Sequence, residues 1–98
     1  MKALHSIAVI IILISTTFSQ ENKDDWPNLK RYQSDNKNVK KEKNKNPRVV
    51  FIGNSITEGW DWHYPEFFNK NKNYINRGIS GQTTPQMLVR FRQDVVDL

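Results

Sequence analysis

The stretch that decides the fold is Val49-Val50-Phe51-Ile52-Gly53-Asn54-Ser55-Ile56-Thr57-Glu58-Gly59-Trp60. Its first four residues are apolar, β-branched or aromatic and show no alternation. That pattern predicts a strand covered on both faces, as in a parallel sheet. The run stops at Gly53 and a polar stretch, residues 53–59, follows at once. Residues 60–68 are rich in aromatic side chains, and Pro65-Glu66-Phe67-Phe68 predicts a helix that begins or continues there.

After the turn-prone Asn69-Lys70-Asn71-Lys72-Asn73, the segment Tyr74-Ile75-Asn76-Arg77-Gly78-Ile79 predicts a second, shorter strand. Ser80-Gly81-Gln82 reads as a loop. Thr83-Thr84-Pro85-Gln86 then starts a helix, either with Thr83 and Gln86 at capping-box spacing or with Thr84 as cap and Pro85 first in the helix. Along it Leu88, Phe91, Val95 and Leu98 fall on one face, which predicts the buried side, with Arg90, Gln93 and Asp94 largely off it. Strand, helix, strand, helix is the opening of a right-handed α/β fold. In such sheets ligands bind at the carboxyl ends of the strands. The two glycine-containing loops, residues 53–59 and 78–81, both fall there, and Ser55 lies in the first of them.

Two common motifs fail against the first loop. A Walker phosphate loop ends in Gly-Lys-Ser/Thr, whereas Gly59 is followed by Trp60. A nucleophile elbow needs glycine two residues after the serine, and that place holds Thr57. Gly78-Ile79-Ser80-Gly81 lacks the elbow spacing as well, so Ser80 reads as a turn residue.

The segment does resemble the first block of the SGNH hydrolases, the GDSL-type esterases and lipases, in which a buried strand runs into Gly-Asp-Ser-Ile/Leu-Thr. Asn76-Arg77-Gly78-Ile79-Ser80-Gly81-Gln82-Thr83-Thr84 is similar to that family's second block. The resemblance covers residues 47–98 and implies the start of a flavodoxin-like, three-layer α/β/α fold on a parallel sheet, broken off after about two strands. It implies that Ser55 is the nucleophile and that the N–H groups of Ser55 and Gly78 are two oxyanion donors. Gly53 and Asn54 would support the nucleophile loop, with Asn54 standing where the family usually has Asp. No metal and no cofactor are called for. The implied substrate is an ester: a carbohydrate acetyl ester, a short acyl ester or a lysophospholipid.

The family's Gly-x-Asn-Asp block, which carries a third donor, and its Asp-x-x-His block, which carries acid and base, do not occur in these 98 residues. His63 does not replace them, because residue 60 is Trp rather than Asp; it reads as a packing or surface residue. Without a base a serine hydroxyl is a poor nucleophile at neutral pH. The expectation is therefore an incomplete SGNH unit, inactive alone. The aromatic cluster of Trp60, Trp62, Tyr64, Phe67 and Phe68 reads mainly as core, with one or two members at a pocket rim.

Outward from this half the chain changes character. Residues 1–19 carry 12 of the 36 apolar residues and residues 20–46 only 4. Lys2 followed by the eight-residue apolar run 7–14 and the small residues around Ser15 to Ser19 predicts a signal peptide cleaved between Ser19 and Gln20, hence a secreted or periplasmic protein. The run is too short for a stable membrane anchor. Trp26, Leu29 and Tyr32, behind Asp24-Asp25 and Pro27, predict a short helix docking one narrow face. Residues 36–46, with five Lys and four Asn, read as a solvated linker.

Net charge is +5, of which residues 20–46 supply +3 and residues 47–98 only +1. No aromatic is interleaved among the lysines, so nucleic acid is not expected as a partner. The chain has no Cys, so nothing in it relies on disulfides. The rival readings are a non-catalytic secreted binding module and a polyanion binder acting through the Lys-rich segment.

Overall fold

The computed structural model of the protein describes residues 24–43 and 46–98. The expected leader and its cleavage point, and Asn44 and Lys45 of the expected linker, lie outside the described residues. Strand β1 (Val49–Gly53) and strand β2 (Tyr74–Gly78) form a parallel pair. Their register runs from Val49 opposite Tyr74 to Gly53 opposite Gly78, so the two chains leave the sheet side by side. Helices α2 (Ser55–His63) and α3 (Pro65–Lys70) connect the strands. Before β1 lies a 3₁₀ turn (Leu29–Tyr32) that runs into helix α1 (Gln33–Lys41). After β2 comes helix α4 (Thr84–Phe91), which continues as a π-helical turn (Arg92–Val96).

The two faces of the sheet are covered by different chemistry. Residues alternate across a strand. On one face Phe51 meets Trp60, Phe67, Phe68 and Tyr74 with ring centroids 5.4 to 5.7 Å apart, mostly edge to face. Trp60 and Phe67 stack at 4.5 Å. Such pairs add to simple area burial because each positive ring edge meets a negative ring face. The aromatic run expected as core thus packs ring against ring but stays half-buried, the buried hydrophobic side chains being Tyr32, Ile75 and Ile79; Trp62 and Tyr64 are exposed.

On the other face Arg77 lies against α1. Its Nε donates to Asn36 Oδ1 at 2.8 Å, and its guanidinium sits 4.7 Å from the Tyr32 ring centre. Burial pushes the Arg77 guanidinium below its usual value, with Asp35, Tyr32 and Asp94 pulling the other way. Asn36, Arg77, Gln82, Arg90 and Asp94 are all buried here.

Two expectations for the helices are corrected. The helix near Trp26 docks through Tyr32 and Asn36, while Trp26 is exposed. It also extends through Lys41, into the segment read as linker. The Asn/Lys composition gives little helical drive, but Asn36 is tied by side-chain hydrogen bonds to Arg77 and Asp94, and tertiary contacts override the weak propensity. Asp25 contributes locally, its carboxylate accepting from Leu29 N–H at 2.7 Å and Lys30 N–H at 3.0 Å.

The last helix starts as expected at the Thr83–Gln86 capping box, but its buried side is the opposite one. Leu88 is 74% exposed and Phe91 43%, whereas Arg90 and Asp94 are 0% exposed. Polar partners waiting inside, rather than apolar ones, set its rotation.

Candidate active site

Parallel pairing with Gly53 opposite Gly78 delivers the two loops to the same end of the sheet. Asn54 is the N-cap of α2, and its side chain accepts from Ile56 N–H at 3.1 Å. Ser55 is therefore the first helical residue. It is exposed, and its hydroxyl has no hydrogen-bond partner among the described residues. The N–H of a first helical residue has no acceptor within its own helix. Negative charge developing beside it is favoured by the helix dipole.

Beside Ser55 runs an open groove of about 790 Å³, walled by Thr57, Trp60, His63 and Tyr64. His63 sits eight residues further along the same helix. At 1.5 Å per residue it lies ~12 Å along the axis from Ser55, beyond hydrogen-bond reach. It borders the groove and does not activate the hydroxyl.

The two loops are stitched together. Glu58, on α2, accepts from Ser80 N–H at 3.1 Å and from the Ser80 hydroxyl at 3.3 Å. Asn76 donates to Thr57 O at 2.7 Å and accepts from Gly78 N–H at 2.8 Å. From beneath, Tyr32 Oη donates to Gly78 O at 2.5 Å and Arg90 Nη2 to Gly53 O at 3.2 Å. Burial pushes the Tyr32 phenol above its usual value.

The chain as a whole, rather than this set of contacts, resembles solved structures. The chain is similar to a "putative acylhydrolase" from Bacteroides fragilis, with 55% identity over 76% of this chain and a TM-score of 0.69. It is similar too to a GDSL-like lipase from Bacteroides thetaiotaomicron, with 51% identity over 74% and a TM-score of 0.68. The chain belongs to the SGNH, or GDSL-type, hydrolase family. It spans 35% of the length of each of these two proteins. No family model and no curated protein matches it. The α/β class with a parallel sheet, expected from the sequence, is the fold of this SGNH chain.

Within the candidate site the expected residues divide. Ser55, Gly53, Asn54 and Gly78 are gathered at one end of the sheet. Gly78, however, is not a free donor, because its N–H is already given to Asn76 Oδ1. A Cβ on Gly78 would fall on the backbone of Glu58, and one on Gly53 on the Thr57 side chain. Both glycines let α2 lie close against the strand ends. The open glycine is Gly81, at φ 78° with nothing near its Cβ position and no acceptor for its N–H among the described residues. Sequence reasoning missed Gly81, Glu58 and Asn76 as site residues. The second Gly of Gly-Ile-Ser-Gly was the available signal, since a residue between two loop-formers often needs positive φ.

Proposed function

We propose that this chain carries the nucleophile half of a secreted serine acylhydrolase. Ser55 Oγ adds to an ester carbonyl, the alcohol departs taking up a proton, and the acyl-serine is released by water. Ser55 N–H and Gly81 N–H supply hydrogen bonds to the oxyanion, with Gly81 taking the place first expected of Gly78. The observation that carries this reading is the exposed, unpaired Ser55 hydroxyl at the head of α2, on the strand end that the Gly81 loop shares. The similarity to an acylhydrolase and a lipase supports it.

Carbohydrate acetyl esters, short acyl esters and lysophospholipids are the substrate classes. The shallow aromatic groove beside Ser55 favours the short acyl group among them, since it offers no enclosed channel for a long chain. Export by the leader, with cleavage at Ser19/Gln20, completes the reading. Among the described residues no base reaches Ser55, so the chain by itself is expected to give no turnover of p-nitrophenyl acetate.

Stoichiometric chemistry tests the nucleophile directly. In excess fluorophosphonate at pH 9, Ser55 Oγ forms a bond to phosphorus, fluoride leaves, and the hydroxyl proton passes to buffer. Peptide mass spectrometry is expected to place the label on Ser55 ahead of Ser34 and Ser80, with none at that position in Ser55→Ala. Equal labelling of all three serines contradicts the assignment.

A further inference from the structure

Arg90 is a fully buried guanidinium with no access to solvent or substrate. Its donors reach three separate places. Nη2 bonds Gly53 O at 3.2 Å, Nε bonds Gln82 Oε1 at 2.6 Å, and Nη1 bonds Asp94 Oδ2 at 3.1 Å. Gly53 lies two residues before Ser55 and Gln82 one residue after Gly81.

We infer that Arg90 is a positioning residue that sets the spacing between the Ser55 turn and the Gly81 loop. A planar guanidinium holds its donors in fixed directions, whereas a lysine ammonium is a single rotatable point charge. Each acceptor is itself anchored. Gln82 Nε2 donates to Pro27 O at 2.7 Å, which stops the amide from swivelling. Asp94 Oδ1 accepts from Asn36 Nδ2 at 2.7 Å and Gln93 Nε2 at 3.2 Å. Gly53 O also accepts from Ile79 N–H at 3.0 Å.

Reach and rigidity together make the guanidinium a spacer between two loops whose own backbones are glycine-rich. A buried ion pair is a weak source of net stability compared with apolar residues of the same volume. The geometry therefore points to orientation of Ser55 and Gly81 as what the charge supplies. Misplacing reacting groups by about 1 Å costs on the order of 100-fold in rate.

The catalytic meaning rests on the acyl-transfer reading; the spacing itself does not. Both are tested on the full 98-residue chain with Arg90→Lys and with the double variant Arg90→Met/Asp94→Leu, which replaces the ion pair by apolar volume. Amide NMR shifts report spacing, and the Ser55 phosphonylation rate reports its consequence. Phe67→Leu serves as a control for lost stability alone.

In a folded Arg90 variant we expect shift changes concentrated at residues 53–55 and 81–82. We also expect a labelling rate lowered by about 10- to 100-fold, with neither effect in Phe67→Leu. Unmoved amides at those positions overturn the inference, as does a labelling rate within twofold of the parent. If the parent is not labelled at Ser55, the nucleophile assignment fails and the amide shifts alone decide the spacing claim. If both Arg90 variants are unfolded, the role of Arg90 is structural and the inference fails.

Discussion

The two faces of this short parallel sheet are held by opposite means. On one, four aromatic rings pack around Phe51. On the other, Asn36, Arg77, Gln82, Arg90 and Asp94 are joined by directional hydrogen bonds, with the Tyr32 ring against Arg77 and its hydroxyl on Gly78 O. Ring packing is tolerant, because dispersion depends on filled volume more than on direction. A buried polar network is not tolerant: each missing partner leaves a desolvated group unpaired. The difference explains why the polar face, and not the aromatic one, grips the carbonyls of Gly53 and Gly78 beneath the site.

That contrast is most exposed to Asp94→Ala. Removing one member of the fully buried Arg90–Asp94 pair leaves the guanidinium unpaired and is expected to cost about 3–5 kcal/mol. Chemical denaturation of the chain measures it, and a loss below about 1 kcal/mol would break the contrast.

Tyr32→Phe comes next. It leaves Gly78 O without its phenol donor and is expected to cost about 1–2 kcal/mol. This variant also carries a pH signature. Because burial raises the Tyr32 pKa above its ordinary 10.0, the folded state favours the neutral phenol. The resulting stability is fully present below pH 10 and is lost as pH rises through the folded value. Melting curves from pH 8 to 11 should show the parent losing stability more steeply than Tyr32→Phe at the alkaline end; parallel curves would remove Tyr32 from the network.

Smallest of the three is Phe51→Leu on the aromatic face, expected at about 1 kcal/mol because the neighbouring rings can close in. A cost above that of Asp94→Ala would reverse the ranking of the two faces.

The same contrast marks what was legible in the sequence. The run from Val49 to Ile52 and the Thr83/Gln86 cap are local signals, and they predicted β1 and the start of α4. The aromatic face followed from composition. The polar face did not, because Arg90 and Asp94 at i, i+4 look like a surface pair on a helix. Only the distant Gln82, Asn36 and Gly53 carbonyl show that the pair turns inward. Helix α1 was hidden for the same reason, its decisive residue being a buried Asn in a Lys/Asn-rich segment. Ser55 was legible from its block. Which glycine leaves its N–H unpaired was not, since that depends on where the Gly78 N–H points and on the positive φ of Gly81.

The central claim is the proposal that Ser55 is an acyl-transfer nucleophile for which none of the described residues supplies the base. It is tested most directly by restoring the base. A chimera would join this chain to the remaining sequence of the similar Bacteroides fragilis protein, and kcat/KM for p-nitrophenyl acetate would be measured with and without Ser55→Ala. We predict turnover in the chimera and a fall of at least about 1,000-fold in Ser55→Ala. A folded chimera that hydrolyses the ester equally well with alanine at position 55 would contradict the account.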